Sequence, residues 1–169
     1  MNIVQVRPLV PADQTWVARL LADRWGSPDI VSRGLIHRAD QLPGFVAVID
    51  DQPAGLATYR IDGSSCELVS LDSLLEGLGT GTKLIEAVAE AARTARCNRL
   101  WLVTTNDNQP AVRFYQGRGF RISAVHAGAI EQSRKLKPSI PEIGVDGIPI
   151  RDEIEMDMRL KEDSPDGGR

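Results

Sequence analysis

The chain has 169 residues, 42% of them hydrophobic and 25% charged, and a formal net charge of −3. That is ordinary for a soluble globular protein with a core of its own, and it gives no electrostatic footprint for nucleic acid or an anionic membrane. Cys66 and Cys97 lack CxxC spacing and the two histidines, His37 and His126, are far apart, so neither a disulfide framework nor a metal site is expected. No stretch reaches the roughly 20 apolar residues of a membrane span. The first ten residues lack the apolar core of a secretory signal, and buried thiols in a reducing cytoplasm are the expected setting.

Asn2 to Val6 reads as a first strand, ended by Arg7-Pro8. A helix starts at Pro11-Ala12-Asp13, with Asp13 as cap, and runs to about Trp25 with Trp16, Val17, Leu20 and Leu21 buried. Gly26-Ser27-Pro28 stops it. Asp29 to Gln41 carries Ile30, Val31, Leu35 and Ile36 but is interrupted by Gly34, and is expected as a short helix or a loop shaping a pocket. Gly44 to Ile49 and Ala54 to Ile61 form a hairpin over Asp50-Asp51-Gln52-Pro53. Asp62-Gly63-Ser64 turns the chain into a further strand, Cys66 to Leu71, with Glu67, Val69 and Leu71 expected on one face.

Gly77, Gly79 and Gly81 follow that strand and precede a helix over Thr82 to Arg96. Leu84, Ile85, Val88, Ala91, Ala92 and Ala95 make its apolar stripe. Glycines at a strand-to-helix junction let a ligand approach the backbone. The free N–H groups and dipole of the first helical turn favour an anion, most often a phosphate. Gly81-Thr82-Lys83 has the wrong order for a P-loop, and the G-x-G-x-G spacing is not the dinucleotide G-x-G-x-x-G.

Arg99 to Thr105 is a strand expected parallel to Cys66–Leu71. Asn108 caps the next helix, Pro110 suits its first turn, and Ala111, Val112, Phe114 and Tyr115 lie on it before Gly117 or Gly119 ends it. Phe120 to Val125 is a strand. Ala127 to Arg151 is expected as a long loop, with Pro138, Pro141, Pro149 and a basic run of Arg134, Lys135 and Lys137. Asp152 to Leu160 alternates as a last strand, with Ile154, Met156, Met158 and Leu160 on one face. Residues 1–160 are expected as one domain, and 161–169 as a disordered tail.

Two segments together resemble the GCN5-related N-acetyltransferase (GNAT) superfamily. The first is the glycine loop, Glu76-Gly77-Leu78-Gly79-Thr80-Gly81. The second is Asn108-Gln109-Pro110-Ala111-Val112-Arg113-Phe114-Tyr115-Gln116-Gly117-Arg118-Gly119-Phe120, nearly complete against the family's Asn-x-x-Ala-x-x-Phe-Tyr-x-x-x-Gly-Phe. The resemblance implies an α/β fold with a mixed seven-stranded sheet, flanked by helices and splayed between its fourth and fifth strands. It implies acetyl-CoA as co-substrate in that splay and a primary amine, on a small molecule or a peptide, as acceptor. The backbone of Leu71 and Ser73 would meet the pantetheine arm, as would Asn108. The amides of Leu78, Gly79, Thr80, Gly81 and Thr82 would hold the pyrophosphate. Tyr115 would stand near the thioester sulfur, as acid for the leaving thiolate. The resemblance leaves room for a homodimer.

The sequence departs from the family pattern twice. Glu76 stands where Arg or Gln is usual and cannot donate to phosphate. Val103 stands where some members carry a glutamate base. Glu67 is then the best candidate base, with His126 behind it. The segment 127–151 is expected to pack over the acceptor site as a lid or wall, with its basic run attracting an acidic group on the substrate or the phosphates of CoA. Two rival readings remain. One is a non-catalytic acyl-CoA sensor of the same fold. The other is a nucleotide-binding oxidoreductase with Asp107 as ribose-binding acid.

Overall fold

The computed structural model describes residues 3–161; the expected tail, apart from Lys161, lies outside the described residues. The elements run β1 (Gln5–Pro8), α1 (Gln14–Trp25), β2 (Asp29–Ser32), β3 (Leu35–Arg38), β4 (Gly44–Ile49), β5 (Gln52–Asp62), β6 (Ser65–Ser73), α2 (Thr80–Thr94), β7 (Arg99–Thr105), α3 (Gln109–Gln116), β8 (Arg121–His126), α4 (Ala129–Leu136) and β9 (Glu153–Arg159). Seven strands form one mixed sheet in the order β1-β4-β5-β6-β7-β9-β8.

The sheet separates two apolar layers. On one side the α2 stripe, with Leu84, Val88 and Ala92 fully buried, packs with Cys66, Leu68, Leu100 and Met156. On the other, Val17 and Leu21 of α1 pack with Ile30 and Leu56. Burying one such leucine stabilises the fold by about 1.5–3 kcal/mol relative to leaving it exposed.

The sheet's fourth and fifth strands are β6 and β7, and they pair in parallel only at Ser65↔Arg99, Cys66↔Leu100 and Glu67↔Trp101. Beyond Glu67 the two strands run on to Ser73 and Thr105 with no ladder between them. The edges facing this wedge carry backbone donors and acceptors that the sheet does not use. At the start of the wedge the β5–β6 register slips, from Tyr59↔Leu68 to Thr58↔Ser70. The extra residue, Val69, is a β-bulge. It overturns the expectation that Glu67, Val69 and Leu71 share a face. Leu71 packs with the α2 layer and Val69 with the α1 layer.

Two other segments differ from expectation. Asp29 to Gln41 is neither helix nor loop but the hairpin β2–β3, paired from Asp29↔Arg38 to Ser32↔Leu35. Arg33 and Gly34 form its two-residue turn with φ of 48° and 77°, which is the twist-matched hairpin geometry. The glycine that interrupts a helical pattern is the turn itself. Residues 127–151 hold a helix, α4, where a loop was expected. Gly128 caps it in the left-handed region with φ 73°, and the rest of the segment returns through a bridge between Ile143 and Pro149.

Asn106 and Asp107 pin that return. The Asn106 carboxamide donates to Pro149 O at 2.9 Å and accepts from the N–H groups of Arg151 (2.9 Å) and Asp152 (3.0 Å). Asp107, only 4% exposed, accepts from the Val145 N–H at 3.0 Å and from the Thr105 hydroxyl. A Cβ at Gly144 would fall 2.0 Å from Asp107 Oδ2, so only glycine fits there. Asp107 is thus a buried anchor for the chain, which removes the ribose-acid reading.

Candidate functional site

The glycine loop ends at Gly79, which caps α2 in the left-handed region with φ 72°. The first bond across the helix start runs from Lys83 N–H to Gly79 O, so the N–H groups of Thr80, Gly81 and Thr82 stand free of the helix ladder. Thr80 is 2% exposed and its hydroxyl oxygen is buried with no partner among the described residues. The outer wall of this turn carries a cation. Arg118 Nε donates to Thr82 Oγ1 at 2.8 Å, and the guanidinium lies 3.6 Å over the Phe114 ring. Sequence reasoning missed Arg118; its signal was a place between two glycines inside the second motif. Gly81 serves a different purpose from Gly79. A Cβ on it would meet the Phe114 ring at 2.9 Å, so its smallness lets α3 pack against α2. Of the other expected backbone contacts, Leu71 and Ser73 lie on the unpaired stretch of β6, and Leu78 is exposed at the loop tip.

Glu67 is the last β6 residue paired with β7, and it is 3% exposed. Ser32 Oγ donates to Glu67 Oε2 at 2.6 Å, and His37 Nε2 stands 3.6 Å from Oε1. The second distance is too long for a hydrogen bond, and Nε2 is buried without a partner among the described residues. Burial pushes the Glu67 carboxyl above the ordinary carboxylate range, against the opposing pull of the Ser32 hydroxyl and of Arg60. Burial, then the Arg60 charge, lowers His37, so its imidazole is neutral at pH 7. Both neighbours come from the β2–β3 hairpin, on the same inward face as Ile30. Reading that segment as a strand pair, with Ile30, Ser32 and His37 on one face, was the signal that would have found them.

Tyr115 lies half-buried in edge-to-face contact with Phe114 (5.3 Å) and Phe120 (5.4 Å). Burial, then the nearby Asp72 carboxylate, raises its phenol well above the usual value. Asp72 is itself 7% exposed and accepts from Trp25 Nε1 at 3.3 Å. Asn108 Oδ1 caps α3, accepting from the Ala111 N–H at 3.3 Å. His126 is drawn elsewhere. Its Nε2 pairs with Glu155 at 3.0 Å, and Glu155 also takes Arg99 at 2.6 Å.

A cavity of about 420 Å³ opens beside Glu67, with Val69, Val103, Thr104 and Asn108 in its wall. The β2 strand and the end of α1 form one side, and α4 with residues 137, 139–141 and 150 another. Lys137 ties these sides together, donating to Trp25 O at 2.8 Å and to Asp29 O at 2.7 Å. Arg134 donates to Pro141 O and Ile150 O, both at 2.8 Å. Two of the three basic residues on this segment are therefore occupied by backbone carbonyls. Glu153 also lines the cavity, yet both its oxygens are taken by Arg33, Oε1 by the guanidinium at 2.8 Å and Oε2 by the backbone N–H at 3.2 Å.

A free-amide turn at one end of a strand splay, with a buried carboxylate and a cavity at the other, suits transfer between an anionic donor and a nucleophile. Comparison with known proteins agrees. The Acetyltransferase (GNAT) family matches residues 12–120. The Bacillus subtilis (strain 168) protein YdhI is 48% identical over 134 residues, covering 79% of this chain and 84% of that protein. The IAA acetyltransferase from Bacillus cereus ATCC 14579 superposes with a TM-score of 0.67 at 21% identity, covering 94% of this chain and 100% of the other. A GNAT family acetyltransferase from Elizabethkingia anophelis, with acetyl-CoA bound, gives a TM-score of 0.65 at 20% identity, covering 93% of this chain and 98% of the other. The family match over more than half of the sequence and a relative at this identity settle the kinship: the chain belongs to the GNAT acetyltransferases.

Proposed function

We propose that this chain, as one domain over residues 1–160, transfers an acetyl group from acetyl-CoA to the nitrogen of a primary amine by direct attack. The observation that carries the reading is the position of Glu67. It is a buried carboxylate with raised proton affinity, at the point where the β6–β7 wedge meets the cavity.

The residues present fit acetyl-CoA. The free amides of Thr80, Gly81 and Thr82, helped by the helix dipole, suit the pyrophosphate. Arg118 supplies beside them the cation that Glu76 does not. The unpaired edge of β6 through Leu71 and Ser73 suits the amide-bearing pantetheine arm, with Asn108 across the wedge. When bound, acetyl-CoA supplies an activated acyl group and a thiolate leaving group.

The rest is done by the chain's own side chains. A primary amine is protonated at neutral pH, with a pKa near 10.4, so a base must take a proton before the nitrogen can attack. Glu67 Oε1 accepts it while the Ser32 hydroxyl holds Oε2. Tyr115, a neutral phenol, has a proton to give to the departing sulfur, although burial and Asp72 make it a weaker acid than a free tyrosine. The cavity beside the base favours catalysis over acyl-CoA sensing. Two free, buried thiols, Cys66 and Cys97, support a reducing compartment. No helix among the described residues is long and apolar enough to cross a membrane.

The test is to incubate the protein with acetyl-CoA and a panel of amines and to follow free thiol and product mass together. Thiol release matched one to one by acetylated amine supports the reading. CoA binding with no transfer to any amine contradicts it.

A further inference from the structure

Building on the acetyl-transfer reading, we infer that the acceptor is a small primary monoamine with an apolar body, not a peptide and not a polycation. Size, charge and wall chemistry of the Glu67 cavity lead there separately.

The cavity of about 420 Å³ holds about 14 water-sized volumes of about 30 Å³ each. A peptide acceptor needs an open channel for the residues that follow its amine, and partners for their extended backbone. Here the side formed by α4 and the residues after it is fastened, not free to part: Lys137 bonds the carbonyls of Trp25 and Asp29, and Arg134 holds Pro141 and Ile150 in place.

Charge limits the ligand further. Of the two carboxylates in the wall, Glu153 is saturated by Arg33. Glu67 has Oε2 taken by Ser32, and among the described residues nothing donates to Oε1 within hydrogen-bond distance. One oxygen is thus open for one amine. The other charged groups in the wall are Lys137 and Arg24, so a second ammonium on the ligand would meet like charge and lose its water. The uncharged lining is more apolar than polar: Ile30, Val31, Val69, Val103, Ile130 and Ile140 outweigh a few hydroxyl and amide groups such as Thr104 and Asn108. Such a sleeve favours hydrocarbon, at about fourfold in affinity for each methylene buried.

The experiment measures kcat/KM of the wild-type protein with acetyl-CoA and linear primary alkylamines from propylamine to decylamine, alongside spermidine and a hexapeptide with a free N-terminus. The expected result is a rise of about fourfold per methylene to an optimum, then a fall when the cavity is full, with spermidine and the peptide far below that optimum. In the Ile140→Ala protein the optimum moves to a longer chain. Preference for spermidine or the peptide, or an optimum that Ile140→Ala leaves in place, overturns this inference while the transfer reading stands. Absence of acetylation with every amine overturns both.

Discussion

The glycine loop and the Glu67 cavity are the two ends of one wedge, yet they are built in opposite ways. The loop end is made of backbone: amides at the start of α2, a left-handed Gly79, an unpaired strand edge. The cavity end is made of side chains that converge from far apart in sequence, Ser32 and His37 from a hairpin, Glu67 from the central sheet and Lys137 from beyond α4. A backbone site accepts what is common to every acyl-CoA, whereas a side-chain site can be changed residue by residue to choose the acceptor. Substitutions at the two ends should therefore fail in different ways.

The largest effect is expected at the cavity end. Glu67→Gln removes the proposed base and should lower kcat/KM about 10³-fold at pH 7, with CoA affinity by calorimetry unchanged. The same change should raise stability. Folded Glu67 holds its proton more tightly than it would in an unfolded chain. Its stabilising contribution is therefore full below the ordinary glutamate range and is lost as pH rises through the raised folded value. Glutamine does not titrate, so Glu67→Gln should melt above wild type on the alkaline side of that window and converge with it on the acid side. A lower Tm throughout would mean that Glu67 serves the fold.

Tyr115→Phe keeps the ring that packs on Phe114 and Phe120 and loses only the proton. It should reduce kcat about 10²-fold without weakening CoA. Wild-type turnover would leave Tyr115 as a packing residue.

At the loop end the two glycines should separate. Gly79→Val forces a branched residue into the left-handed region, and CoA affinity should drop about tenfold. Gly81→Val instead meets Phe114 and should cost about 1–3 kcal/mol of stability by overpacking, read from denaturant unfolding. Equal effects of both on CoA affinity would blur the distinction between a binding and a packing glycine.

The smallest effect is expected at the wall. Lys137→Met removes two hydrogen bonds to carbonyls and should raise the acceptor KM about fivefold. Hydrogen exchange should speed up across residues 129–141, and CoA affinity should hold. Unchanged exchange would show that the wall stands without this tie.

How much of this was readable beforehand follows the same division. Gly79, the α2 stripe, Asn108 as cap and the bounds of α1, β4 and β7 are local patterns, set by period, capping and turn chemistry within a few residues. What was misread depends on partners distant in sequence. Gly34 looks like an interruption until Arg33 beside it is seen to share a hairpin turn. The alternation of Glu67, Val69 and Leu71 holds in an ideal strand and fails because β5 imposes a bulge opposite Thr58 and Tyr59. The 127–151 segment hides its helix just ahead of three prolines, and what pins its return is Asn106 and Asp107, just after β7. Arg118 reaches Thr82 at the start of α2 from thirty-six positions later, which no local window reveals.

The central claim is that Glu67 takes the proton from the acceptor amine, and the pH dependence of kcat/KM in wild type and Glu67→Gln tests it most directly. For wild type the account predicts an acid limb above the ordinary glutamate range, because burial raises Glu67. In Glu67→Gln that limb disappears, and the rate climbs steadily toward the pKa of the amine, so the two profiles approach each other at high pH. Two parallel profiles, separated by a constant factor and sharing the same acid limb, would contradict it.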